Sequence, residues 1–295
     1  MIKDLLNSEL QELPIEGLDI HIIKKYVIKT AANESFTVKN LSILLIKSGS
    51  FKLMLQEIVQ NLSPHDLLVI PENSFCTILE VHDKLQFFLI SFSSEFAFKN
   101  SFKKELVDSF YFLIRNQPIR TALDEKEFMV LSLIYKLIYF VNKDAGVNGF
   151  DNELQRISLN LFLYELKLIY AKDNAENASN FTRKESLVIQ FLTILSIHYK
   201  KHHNVKFYSG SLYVTPEHLN KSVKQITGKT VKAMIIEALV IEAKILLEDL
   251  QFSITEIAQE LEFNSTSTFG IFFKKHTSIS PTEYRSNSIV RFKSR

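Results

Sequence analysis

The sequence predicts an α+β protein: a β-barrel over residues 1–97, a helical segment over 98–172, a linker at 173–180, and an all-α unit at 181–295 holding two helix-turn-helix motifs. Three observations predict it. Short apolar or alternating runs crowd residues 19–92, as strands require. From residue 98 the apolar positions recur every three or four residues, the period of a helix. The pattern of residues 206–230 then returns at 254–280, an internal repeat at a spacing of about fifty residues.

In chain order, DIHIIKKYVIK, LSILLIK, FKLMLQE, DLLVI, FCTILEV and QFFLISF read as strands. Turn chemistry separates them: Lys47-Ser48-Gly49-Ser50 reads as a hairpin, and Ser63-Pro64-His65-Asp66 and Pro71-Glu72-Asn73 as turns. Six or more short strands point to a barrel or sandwich. His21, His65 and His82 stand isolated, without the spacing of metal ligands, so we expect core or surface histidines, with no metal and no cofactor.

Asp124 with Glu127 is a capping box, followed by Phe128, Leu131, Tyr135 and Ile138 on one helical face. The next helix has two apolar faces. Leu154, Ile157, Leu161, Tyr164 and Leu168 alternate spacings of three and four, the seam of a coiled-coil-like contact. Leu159, Phe162, Leu163, Leu166 and Ile169 form the other. One face is expected on the β unit and the first on a second copy, making residues 98–172 a dimerisation segment; the alternative is that both faces are buried within one chain. KDNAENASN, residues 172–180, is polar and unpatterned, hence a linker. A helix from about Arg183 to His202 then opens the last unit, with His198, His202 and His203 expected as solvated helix-end residues.

The first motif, about 206–228, ends in a helix with Thr215 as N-cap, Pro216 at the first helical position and Gly228 as a left-handed C-cap. Leu219, Val223 and Ile226 pack inward, leaving Glu217, His218, Asn220, Lys221 and Lys224 outside. VKAMIIEALVIEAKILLEDL, without Gly or Pro, reads as one helix spanning about 30 Å at about 1.5 Å per residue. That is close to the roughly 34 Å between successive major-groove faces of a duplex. The second motif, about 254–277, opens with the capping box Ser253/Glu256 and buries Ile254, Ile257, Ala258 and Leu261. Its last helix buries Phe269, Phe272 and Phe273, and turns Thr266, Ser267, Gly270, Ile271, Lys274 and Lys275 outward. Small polar side chains at the first turn and lysines at the end suit a helix entering a DNA major groove. Glu217 and Asn220 are read as base contacts beside Thr215, Lys221 as a contact to guanine or to a phosphate, Thr266, Ser267 and Thr268 as base or phosphate donors, Ile271 as a partner for a thymine methyl, and Lys274 and Lys275 as phosphate clamps.

Ile257, Ala258, Leu261, Phe263, Phe269, Phe273, Lys274, Lys275, Ser280, Pro281, Tyr284 and Arg285 make up an IA-x-x-L-x-F … F-x-x-x-FKK … SP-x-x-YR pattern that resembles the AraC/XylS transcriptional regulators over residues 183–290. Leu212, Thr215, Leu219, Gly228, Lys229 and Thr230 fit it more loosely. The resemblance implies a regulator that binds double-stranded promoter DNA through two recognition helices, with RNA polymerase as a further partner. Ser278 stands where the family usually has glycine, and Ile271 where many members carry a long polar residue. LLIKSGSF and LSPHDLLVIPENS resemble the cupin-type sensor often fused to such halves, which implies a small-molecule effector.

Charge agrees with that division. Residues 181–295 hold 16 Lys and Arg against 10 Asp and Glu, a net of +6, while residues 1–180 hold 19 against 23, a net of −4. Cys76 is the only cysteine, which leaves no disulfide framework and implies a reducing, cytoplasmic setting. The N-terminus has acidic residues where a signal peptide needs an apolar core, and no apolar run reaches membrane-spanning length. Two other classes compete. A cupin enzyme would need clustered ligands or a paired acid and base, and neither pattern is present; an architectural or protein-binding module would use the same helices without reading sequence.

Overall fold

The structure, a computed structural model, describes residues 2–8, 10, 17–24, 35–81, 84–101, 107–115, 119–143, 151–176 and 181–293. The strand reading beyond Lys24, His82 and the last four residues of the linker reading lie outside them. The chain divides into two compact units, Met1–Asn180 and Phe181–Arg295.

The first unit begins with helix α1 (Ile2–Leu6) and strands β1 (Leu18–Ile23), β2 (Ser35–Thr37), β3 (Leu41–Ser48), β4 (Phe51–Leu55), β5 (Ile58–Leu62), β6 (Asp66–Ile70), β7 (Phe75–Val81) and β8 (Gln86–Phe92). After α2 (Ser94–Ser101) and α3 (Val107–Ile114) come β9 (Ile119–Ala122), α4 (Glu125–Lys143) and α5 (Asp151–Glu176). The strands form two antiparallel sheets, β1-β8-β3-β6-β9 and β2-β7-β4-β5. Leu44, Ile46, Leu68, Phe87 and Leu89 of the first meet Phe36, Phe51, Leu53, Leu55 and Ile78 of the second in one core. The expected barrel is therefore an open sandwich, for among the described residues no strand of one sheet pairs with the other.

The reason is at the predicted hairpin. β3 and β4 do not pair: the chain turns a corner at Gly49, whose φ is +79° and where a Cβ would lie 2.8 Å from the Leu85 Cα. The actual hairpin joins β4 to β5 through Gln56 and Glu57, both at positive φ (48° and 70°). That is the backbone of a two-residue hairpin turn, usually made by Asn-Gly. The turns at Ser63–Asp66 and Pro71–Ser74 close as expected, the Asp66 N–H donating to the Ser63 carbonyl and the Ser74 N–H to that of Pro71. β9, inside the segment read as helical, pairs with β6 and extends the five-stranded sheet.

On the outer face of that sheet, α4 packs against β1, β8 and α5. Tyr135 fixes it: its hydroxyl donates to the Ile43 carbonyl at 3.0 Å and its ring meets Phe162 edge-on. The Asp124/Glu127 capping box forms, and Lys172 near the end of α5 donates to both carboxylates. That ammonium holds the Asp124 carboxyl below the usual carboxylate range. α5 runs to Glu176, four residues further than its polar composition predicts. Cys76 is buried between the sheets, and desolvation pushes its thiol up to about 12, so it stays protonated. Among the described residues no helix is long and apolar enough to cross a membrane, and no group of His, Cys, Asp and Glu could hold a metal.

The second unit is all helix: α6 (Arg183–His198), α7 (Val205–Ser211), α8 (Pro216–Thr227), α9 (Val231–Glu248), α10 (Ile254–Glu260), α11 (Thr266–Thr277) and α12 (Pro281–Lys293). Thr182 and Glu185 close a capping box on α6, which stops at His198 rather than His202. His202 instead stacks on Phe207 at 3.6 Å, and His203 tilts against Phe263, so these imidazoles cover apolar surface rather than simply ending a helix. α9 buries Val231, Met234, Ile235, Ala238, Leu239, Ile241, Ala243 and Leu247, and touches α8, α10, α11 and α12.

Candidate nucleic-acid interface

Two helix-turn-helix modules, α7–α8 and α10–α11, repeat one another bond for bond. In the first turn the N–H groups of Leu212, Tyr213 and Val214 donate to the carbonyls of Tyr208, Gly210 and Ser209; in the second, Leu261, Glu262 and Phe263 donate to Ile257, Gln259 and Ala258. The middle residue is left-handed in both, Tyr213 at φ 56° and Glu262 at φ 53°. Thr215 caps α8 by accepting from the His218 N–H, and Ser265 caps α11 by accepting from the Thr268 N–H. At the other ends Thr227 and Thr277 donate to the carbonyls of Val223 and Phe273. The C-caps match as well: Gly228 at φ 72° and Ser278 at φ 68° each donate back, to Lys224 and Lys274. The serine thus adopts the left-handed conformation in which a Cβ is strained.

These frames decide which side chains are free. Glu217, His218, Lys221 and Lys224 are exposed on α8, and no carboxylate among the described residues pairs with either lysine. Asn220 is different. Its Oδ1, the acceptor that a paired contact to adenine would use, accepts the Val231 N–H at 3.1 Å and so closes the start of α9. On α11, Ser267, Ile271, Lys274 and Lys275 are exposed, Ile271 at 72%. Thr268 bonds to the Ser265 hydroxyl and Thr266 to the Thr255 hydroxyl, which leaves Ser267 as the unengaged hydroxyl of that turn among the described residues. Thr215 likewise spends its oxygen on the cap. Phe272, expected inward, is half-buried against Phe263 and His276. Partial burial, then the charges of Lys275 and Lys232, push the His276 imidazole below its ordinary range. His276 escaped the sequence reading; its place in the last turn beside two lysines was the available signal.

α9 is held to both modules. Lys229 pairs with Glu237, and Lys232 donates to the His203 carbonyl. Tyr199 and Lys200 both bond to Glu242, Tyr284 donates to Glu248, and Arg285 to the Leu247 carbonyl. Eighteen helical residues at about 1.5 Å each separate the modules by roughly 27 Å of axis.

In the first unit, Leu159, Phe162, Leu163, Leu166 and Ile169 are buried, while Leu154, Ile157, Leu161, Tyr164 and Leu168 are each between 45% and 63% exposed. Met129, Leu133, Leu137 and Phe140 of α4 are exposed too.

Residues 208–287 match the model of a family described as a helix-turn-helix domain. Those residues are accordingly a helix-turn-helix domain. A curated relative, an uncharacterized HTH-type transcriptional regulator in the cgkA 5′ region of Pseudoalteromonas carrageenovora, is 35% identical over 82 residues, which cover 28% of this chain and 48% of that protein. The match thus spans about half of the relative's length. Among solved structures, ToxT from Vibrio cholerae with an unsaturated fatty acid bound is 14% identical, covering 91% of this chain and 94% of that one at a TM-score of 0.35. The C-terminal domain of AraT, a response regulator from Geobacillus stearothermophilus, is 23% identical, covering 36% and 88% at a TM-score of 0.34.

Proposed function

We propose that the protein is a transcription regulator, not an enzyme, that binds double-stranded promoter DNA inside the cell through α8 and α11. The observation that carries this reading is the repeated module with its exposed lysines at equivalent places, Lys224 and Lys274. Glu217, His218 and Lys221 are the base-reading positions of α8, and Ser267 and Ile271 those of α11; Lys224, Lys274 and Lys275 hold phosphates. The seam of Leu154, Ile157, Leu161, Tyr164 and Leu168 joins two copies, which doubles the DNA contact, and the N-terminal sandwich is the sensing unit. RNA polymerase is the partner such a bound dimer would meet at a promoter.

Selection of bound fragments from the host genome, followed by competition binding, tests this. A selected site should bind roughly 1,000-fold or more above random DNA. Equal affinity for both would leave an architectural role. Lys224→Ala and Lys274→Ala should each weaken both DNAs and lower the salt slope by about one. Leu161→Glu should give monomers by light scattering, and a monomeric unmodified protein would remove the dimer from the reading.

A further inference from the structure

A cavity of about 270 Å³ opens on the first unit, lined by Ile22, Ile23, Lys24, Lys47, Gln86, Phe87, Phe88 and Lys136. Its place follows from strand register. Phe87 and Leu89 face the core between the sheets, so Gln86 and Phe88 face α4, where Phe88 meets Tyr135 at 5.5 Å. Ile22 is paired with Phe88 and lies on the same side; Lys24, two residues on, follows it. Lys47 sits in the bulge of β3, where the register slips between Ile46 and Ser48, and the bulge re-aims the side chain at this strand end. Lys136 comes from α4. Three strand ends and one helix thus bring three exposed lysines around a floor made of buried Phe87 and Phe88 and half-buried Ile22 and Ile23.

Among the described residues no carboxylate lines the cavity, and none pairs with any of the three lysines. Three like charges at one cavity repel one another, so a negative group there lowers the free energy of the arrangement. The size, just under the roughly 300–1,000 Å³ of sites for drug-sized molecules, limits the ligand to a small one.

We propose that this cavity binds a small carboxylate with an apolar body, the carboxylate among Lys24, Lys47 and Lys136 and the body on Phe87, Phe88 and Ile22. It opens at the strand ends of the five-stranded sheet, with Phe88 and Lys136 on the helix-covered side and Phe87 and Ile23 on the side turned to the core between the sheets. α4, which supplies Lys136, also carries exposed Leu133, Leu137 and Phe140, so an occupied cavity bears on a helix next to the proposed subunit contact. That purpose rests on the sensing role proposed above; the binding itself does not.

The test titrates the full chain, without DNA, with 4-phenylbutyrate, with its neutral amide and with inorganic phosphate, by calorimetry. Phenylbutyrate should bind, and the amide and phosphate should each bind at least about tenfold more weakly. Single changes Lys24→Gln, Lys47→Gln and Lys136→Gln should each weaken phenylbutyrate roughly threefold, as exposed charges do, and the triple variant by about tenfold or more. All three side chains are exposed, so an unchanged circular dichroism spectrum is expected. Binding of the amide or of phosphate as tight as that of phenylbutyrate, undiminished binding by the triple variant, or no binding at all would each overturn the proposal, while leaving the DNA-binding reading standing.

Discussion

In the first module Asn220 reaches across to the Val231 amide; in the second, Gly270 and Pro281 stand at the same two places, with neither side chain nor N–H to join. The two solutions are physically equivalent. An amide at the start of a helix must find an acceptor or must be absent. The repeat therefore conserves the satisfaction of backbone groups rather than residue identity. The same reasoning separates the C-caps, where glycine occupies the left-handed position of the first module at no steric cost and serine occupies that of the second under strain. What remains outside these duties, Glu217, His218 and Lys221 on one helix and Ser267 and Ile271 on the other, is what can differ between the two surfaces.

The largest test concerns the cores beneath those surfaces. Phe269 and Leu219 are equivalent and fully buried, so Phe269→Ala should cost about 3–5 kcal/mol and Leu219→Ala about 2–5 kcal/mol in urea unfolding. A cost below about 1 kcal/mol at either would mean that its module does not contain the core described.

Asn220→Ala should cost about 1 kcal/mol of stability and weaken selected and random DNA together, because it loosens the seat of α9 rather than a base contact. In a Val231→Pro background, which copies the second module, the added cost should fall close to zero. Loss of affinity confined to the selected site, at unchanged stability, would return Asn220 to base reading.

Exchanging the C-caps should have opposite signs. Ser278→Gly should stabilise the second module by about 1 kcal/mol and Gly228→Ala destabilise the first by a similar amount, read as shifts in unfolding midpoint. Destabilisation by both would show that the serine side chain makes a contact worth more than the strain.

The smallest effect depends on pH. The Ser253 amide and hydroxyl lower the Glu256 carboxyl below its ordinary 4.5, whereas α7 opens on Asn204 with Phe207 where a capping box has its glutamate. A lowered carboxyl contributes stability that is present above the unfolded value of 4.5 and is lost as pH falls through the folded one. Glu256→Gln should therefore lower stability slightly at neutral pH and make no difference in strong acid. An equal deficit at both pH values would place the effect outside the capping box.

The sequence by itself determined the local devices: the capping boxes at Asp124/Glu127 and Ser253/Glu256, the caps at Thr215 and Gly228, the buried and open faces of α5, and the helical pattern that returns after about fifty residues. Each is a contact between residues three or four apart, or a helical period, so its physics is complete within a short window. Tertiary structure alone decided the rest. The Gln56-Glu57 hairpin lacks turn residues and is imposed by the pairing of β4 with β5, and Gly49 turns a corner between sheets because Leu85, far along the chain, presses against it. Asn220 reads as outward because Leu219, Val223 and Ile226 take the inward face of its helix, but its partner lies eleven residues on, across a turn. Lys24, Lys47 and Lys136 share no sequence pattern at all. They meet because antiparallel register and a bulge bring three strand ends under one helix, and a long-range pairing of that kind leaves no local trace.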